Sequence, residues 1–191
     1  MRTAKYERKT KETDISVEIC LDGGEIEVST GIGFFDHMLN SFAKHGGFGL
    51  KLKAVGDLEI DGHHTVEDVG IVLGKAMLEA LGGRENIARY GTKFIPMDES
   101  LAFCSVDVSG RPFLVFEASF EEAVVGEFDT CLTEEFFRAF AFNAGLTMHI
   151  SLISGSNAHH MIEAMFKAAA HAIKEAVVVT NSTLSTKGCI D

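Results

Sequence analysis

Tryptophan is absent from this 191-residue chain, proline occurs only twice, and bases are scarce: 17 Lys and Arg stand against 28 Asp and Glu, a net charge of −11. The shortage of bases argues against nucleic acid or an anionic membrane as the main partner, since both bind through a basic face. It leaves room for a small anionic substrate, provided that a few bases gather locally. No apolar run approaches the ~20 residues that a membrane span needs. The start, Met1-Arg2-Thr3-Ala4-Lys5-Tyr6-Glu7, has no hydrophobic signal core, so the expected location is the cytoplasm. Cys20, Cys104, Cys131 and Cys189 form no C-x-x-C pattern, and two of them fall in strand-like runs; buried, reduced thiols are the expectation. With 46% hydrophobic residues the chain can build a substantial core, which excludes disorder.

What is present, twice, is a histidine pair followed at a fixed distance by glutamate. His63-His64-Thr65-Val66-Glu67 and His159-His160-Met161-Ile162-Glu163 are 159 − 63 = 96 residues apart. On a helix the first histidine and the glutamate are i,i+4 neighbours and the second histidine is at i,i+3, so imidazole and carboxylate share a face. That donor mix suits a divalent transition metal such as Mn, Fe, Co, Ni or Zn. Adjacent histidines diverge by roughly 100° on a helix and are better placed to serve two ions than to chelate one. One such pair is most often a surface feature; two copies with the same glutamate offset point to metal binding.

The segments around the motifs also repeat. Ile15 to Leu21 alternates, Asp22-Gly23-Gly24 makes a turn, and Glu25 to Ser29 alternates again, which predicts a hairpin. Phe34 to Ala43 has a helical stripe, Leu50 to Val55 reads as a strand, and a helix follows from His63 or His64 to Leu81. The second half predicts a strand over Ser100–Val108 with its partner over Phe113–Ser119, then a helix over Thr133–Asn143, a strand over Met148–Ile153 and a helix from Ala158 to Val178. The fold class expected is α+β, a single catalytic domain over 1–191 built from duplicated β-β-α-β-α halves, about 1–85 and 86–191. Overlaying the halves sets His37 over Glu135 and His45 over Asn143. If His37 serves a metal, Glu135 is its counterpart, although a carboxylate beside Glu134 can equally be a solvated charge.

Other candidates are less determined. His45 follows His37 by two helical turns and can share its face; His149 and His171 read as structural. Lys167 lies one turn after Glu163, on the ligand face. Arg89, Arg111 and the segment Ser185-Thr186-Lys187-Gly188 offer phosphate-binding groups. Glu12 and Glu99 precede the first predicted strand of each half; each is either a solvent-facing carboxylate or a general base near the metals.

Gly31–Leu39 (G-I-G-F-F-D-H-M-L), Asp61–Asp68 (D-G-H-H-T-V-E-D), Pro96–Leu101 (P-M-D-E-S-L), Asp107–Pro112 (D-V-S-G-R-P), Gly155–Lys167 (G-S-N-A-H-H-M-I-E-A-M-F-K) and Ser185–Gly188 (S-T-K-G) resemble the imidazoleglycerol-phosphate dehydratase family. The resemblance runs over essentially the whole chain. It implies a metal-dependent hydro-lyase of histidine biosynthesis that converts D-erythro-imidazole-glycerol phosphate to imidazole-acetol phosphate and water. It further implies two manganese ions per subunit, with ligands from neighbouring subunits, and trimers assembled into a 24-subunit particle. The implied metal ligands are His37, His63, His64, Glu67, His159, His160 and Glu163. A further family ligand, often His, falls at Glu135, a departure from the pattern. Arg89, Arg111, Lys167, Ser185 and Lys187 are the implied phosphate contacts. Glu12 is the implied acid/base, with Glu163 the alternative proton acceptor, and His45 is implied to line the substrate.

Two other classes compete. A dinuclear metallohydrolase would activate water, but such sites commonly use bridging Asp, and these motifs are His and Glu. A metal store has no reason to gather Lys167, Arg89 and Arg111, and ferritin-like sites read Glu-x-x-His, the reverse order.

Overall fold

The computed structural model describes residues 1–184. The first half runs β1 (Thr3–Lys9), β2 (Thr13–Cys20), β3 (Ile26–Ser29), α1 (Gly33–Gly46), β4 (Gly49–Gly56) and α2 (His63–Leu81). The second runs β5 (Tyr90–Met97), β6 (Ser100–Asp107), β7 (Phe113–Glu117), a small β8–β9 hairpin (Val124–Val125 and Phe128–Asp129), α3 (Leu132–Ala144), β10 (Thr147–Ser154) and α4 (Ala158–Ala176). The main sheets have matching orders, β1-β2-β4-β3 and β5-β6-β10-β7. The duplicated α+β architecture expected from the repeat is therefore present, with one additional strand opening each half.

Two expected pairings are corrected. Ile15–Leu21 and Glu25–Ser29 do not form a hairpin, because β4 lies between them, antiparallel to β2 and parallel to β3. In the second half β10 likewise separates β6 from β7. Alternation says which face of a strand is buried but not which strand lies beside it. Leu50, Leu52 and Ala54 of β4 are buried, and that apolar stripe takes the central place. Gly49 enters close to the Gly23–Gly24 turn, where a Cβ would come within 2.9 Å of the Gly23 carbonyl oxygen.

The four helices form a layer with one sheet on each side: α2 packs on β1 and β2 and against α3, while α4 packs on β5 and β6 and against α1. Phenylalanines fill the centre. Phe35 meets Phe136 at 5.4 Å between ring centroids, Phe42 meets Phe140 at 5.8 Å, and Phe136 stacks on Phe166 at 5.1 Å. All five rings are fully buried, and each removes a large apolar area from water.

The α2–α3 contact depends on Gly70 and Gly74. A Cβ on Gly70 would lie 2.8 Å from the Phe136 carbonyl oxygen, and one on Gly74 2.7 Å from that of Phe140. The helix ends gather as well. Gly62, before α2, sits against Ile32 and Leu132, which precede or begin α1 and α3, and Phe34 of α1 packs on His159 of α4 at 5.0 Å. All four N-termini therefore share one end of the molecule, which carries both histidine motifs.

Of the cysteines, Cys104 is buried, and burial pushes its thiol far above the ordinary range. Cys20 is half-buried and Cys131 exposed, so burial does not hold for all of them. Cys189 lies outside the described residues.

Candidate active site

α1 and α4 run side by side in the same direction, and this brings distant residues together. His37 Nε2 lies 3.5 Å from Glu163 Oε2, and His159 Nε2 lies 3.2 Å from the same oxygen. One donor atom from each of the three falls within 4.8 Å of the others. Glu163 is only 7% exposed. Burial alone would raise its carboxyl, but the Lys167 ammonium, 2.7 Å from Oε1, overrides this and holds it below the usual carboxylate range. One turn further on, His45 Nδ1 meets His171 Nε2 at 3.1 Å. Burial lowers both imidazoles, with Lys167 adding to the effect on His45 and Lys174 to that on His171. His171, expected to be only structural, is thus the partner of His45.

The first motif builds a related group on α2. His63 Nε2 lies 3.6 Å from Glu67 Oε2. Glu67 and Glu135 line one cavity of about 220 Å³ with Ile71 and Arg138. Glu135 also pairs with Arg138 at 3.6 Å, and Glu134 bonds the same guanidinium. The position expected to mirror His37 therefore shares a cavity with Glu67, and its charge is shared with an arginine.

His64 and His160 are oriented by carboxylates. Asp57 Oδ2 is 2.9 Å from His64 Nδ1, and Glu99 Oε2 is 2.8 Å from His160 Nδ1. An ionised carboxylate can only accept, so each Nδ1–H donates and Nε2 is left for a metal. These hydrogen bonds raise both imidazoles. Glu99 also accepts from the Asn157 and Ser156 N–H groups, and its carboxyl is held far below the ordinary range, with His160 the largest cause. Glu99 is therefore committed to positioning His160. Glu12 is different: its carboxylate makes no hydrogen bond among the described residues and approaches His64 Nδ1 only to 4.0 Å. Asp57 was not singled out from the sequence; its place in the Asp- and Gly-rich loop before α2 was the only signal.

The arginines are elsewhere. Arg89 forks onto Asp107 at 2.7 and 3.1 Å and donates to the Leu184 carbonyl at 2.8 Å. Arg111 Nη2 lies 3.6 Å from Asp107, with an exposed side chain. The Arg89 N–H bonds the Ala176 carbonyl at 2.8 Å, at the far end of α4. At about 1.5 Å of rise per residue, the helix from Glu163 to Ala176 spans roughly 20 Å. One chain thus separates Arg89 and Arg111 from the cluster of His37, His159 and Glu163. Ser185 and Lys187 lie outside the described residues.

Fold and site together define a duplicated α+β protein that gathers imidazole and carboxylate side chains at the common end of four helices; three of these side chains, His37, His159 and Glu163, are close enough to hold a metal ion. A family model described as imidazoleglycerol-phosphate dehydratase matches residues 30–173. The chain is 57% identical over 194 aligned positions to the imidazoleglycerol-phosphate dehydratase of Clostridium kluyveri, covering 100% of both chains. It is 58% identical to that of Clostridium novyi, covering 96% of this chain and 95% of the relative. The crystal structure of the Staphylococcus aureus enzyme superposes with a TM-score of 0.86 at 46% identity, covering 93% of this chain and 99% of that one. The Pyrococcus furiosus enzyme in complex with (S)-C348 gives 0.85 at 39% identity, covering 96% and 99%. This chain belongs to the imidazoleglycerol-phosphate dehydratase family.

Proposed function

We infer that the chain is a lyase of histidine biosynthesis that removes water from D-erythro-imidazole-glycerol phosphate to give imidazole-acetol phosphate. Family membership supports the reaction, and the convergence of His37, His159 and Glu163 is the observation that carries the metal-dependent reading. Three donors this close can contract onto one divalent ion with bonds of about 2 Å. His63, Glu67 and Glu135 are the residues to hold a second, and His64 and His160 keep Nε2 as further ligands. The complement proposed is two Mn2+ per subunit. A divalent cation there supplies a Lewis acid that depresses the pKa of a bound ring nitrogen.

The chain's own groups divide the remaining work. Glu12 is free to take the proton from the carbon next to the departing hydroxyl. The enol that remains tautomerises to the ketone. Glu163, tied to Lys167 and two histidines, is a ligand rather than the base. Lys167, Arg89 and Arg111, with Ser185 and Lys187, clamp the phosphate and orient the chain of the substrate; His45, held neutral, lines it. The roughly 20 Å between the arginines and Glu163 supports a site completed by another copy. The assembly proposed is a homo-oligomer of trimers in a 24-subunit particle, working in the cytoplasm. Among the described residues no helix is long and apolar enough to cross a membrane.

Stripping divalent metal with a chelator should abolish ketone formation from the imidazole diol phosphate, and manganese should restore it. Full turnover by the stripped protein would defeat the metal-dependent reading.

A further inference from the structure

Resting on the reading of Glu12 as the base, we propose that buried Asp68 is a positioning residue that locks the Glu12 turn onto the ligand helix α2. Asp68 immediately follows Glu67 and is only 7% exposed. Its Oδ2 accepts from the Thr13 hydroxyl at 2.5 Å and its Oδ1 from Arg8 Nε at 3.1 Å. Arg8 is in β1 and Thr13 begins β2, so one carboxylate ties both strands of the turn to the helix that carries His63, His64 and Glu67.

Within the turn the hydrogen bonds run in one direction. Thr10 Oγ1 accepts from the Glu12 N–H at 3.1 Å and the Thr13 N–H at 2.9 Å. Thr13 gives its hydroxyl proton to Asp68, so the 3.2 Å contact between the two threonine hydroxyls uses the Thr10 proton. The chain ends on a buried charge, the strongest acceptor available. The Asp57 N–H also donates to the Glu12 carbonyl at 3.1 Å, which joins the turn to the residue that orients His64. Glu12 is thus placed by its backbone, and its carboxylate makes no hydrogen bond among the described residues.

The second half lacks this clamp. Ala164, at 68 + 96, stands where Asp68 would be, and Glu99 fixes itself through His160, Asn157 and Ser156. A carboxylate that orients a histidine holds its own position; a carboxylate kept free for proton transfer has to be held from behind.

Thr13→Val removes one hydroxyl and keeps the side-chain shape. With imidazole glycerol phosphate as the probe, kcat should fall about tenfold, as expected for a displaced catalytic group, while KM and bound manganese stay at wild-type values; the melting temperature falls as well, because a buried carboxylate oxygen loses its donor. Thr13→Ser should restore turnover. In a Glu12→Gln background, Thr13→Val should change the residual rate no further. Equal losses in both backgrounds, wild-type turnover in Thr13→Val, or failure of Thr13→Ser to restore it would each overturn the clamp alone. Full turnover in Glu12→Gln would instead overturn the reading of Glu12, and the clamp with it.

Discussion

Glu12 and Glu99 occupy equivalent turns, each just ahead of the second strand of its half and beside the second histidine of its motif. Glu99 is consumed by His160 and two backbone N–H groups, whereas Asp57 takes over that task for His64 and leaves the Glu12 carboxylate without a hydrogen bond among the described residues. The two halves carry the same histidine–glutamate motif, and a single extra carboxylate, Asp57 in the loop before α2, relieves Glu12 of the contact that Glu99 makes. The same divergence recurs along the helices. Lys167 and His171 of α4 stand where α2 has Ile71 and Lys75, so among the described residues an ammonium lies against Glu163 and none against Glu67. A duplicated fold can thus keep the same imidazole and carboxylate side chains in both halves while the groups around them diverge.

Exchanging the glutamates one at a time is the strongest way to break this comparison. Glu12→Gln should lower kcat by about 10³-fold with manganese still bound, the loss expected of a general base. Glu99→Gln should instead weaken metal affinity by roughly 10–100-fold, the usual cost of losing a histidine-orienting partner, with turnover recovered in excess manganese. Steady-state kinetics over a manganese titration separates the two; equal behaviour would remove the distinction between the halves.

Helix contacts offer a smaller effect. Gly70→Ala places a Cβ against the α3 backbone and should cost about 1–3 kcal/mol by overpacking. The position equivalent to Gly74 in α4 is Ala170, which is fully buried. Ala170→Gly should also destabilise, by about 1 kcal/mol from helix propensity. Denaturant unfolding of both variants tests whether the α2–α3 and α1–α4 contacts have become non-equivalent.

The smallest effect is a pH dependence confined to the exposed His160–Glu99 pair. His160 is raised above its ordinary 6.5, so its contribution to stability is complete below that value and is lost as pH rises through the folded value. Glu99 is depressed below its ordinary 4.5, so its contribution is complete above that value and is lost as pH falls through the folded value. Between 4.5 and 6.5 both contributions are present. The melting-temperature difference between metal-free wild type and Glu99→Gln should therefore be largest in that window; a difference that peaks at alkaline pH would contradict the pairing.

The helices were legible in the sequence because a 3.6-residue stripe such as Phe35, Met38, Leu39 and Phe42 has few other readings. His63–Glu67 and His159–Glu163 were legible for the same reason, since helical geometry fixes an i,i+4 pair. Strand neighbours were not, because a period of two says nothing about which strand lies beside which. β1 and β5 escaped notice as edge strands, one rich in charge and the other interrupted by Gly91 and Pro96. Asp68 and Asp57 were hidden for a different reason. The partners of Asp68 are 55 and 60 residues away, and only the closed fold brings them together.

Anomalous diffraction at the manganese edge, on crystals of the whole assembly, tests the central claim most directly. The expected result is two peaks per subunit, one bonded to His37, His159 and Glu163 and one to His63, Glu67 and Glu135. No peak at these side chains, or a single peak shared by both motifs, would contradict it.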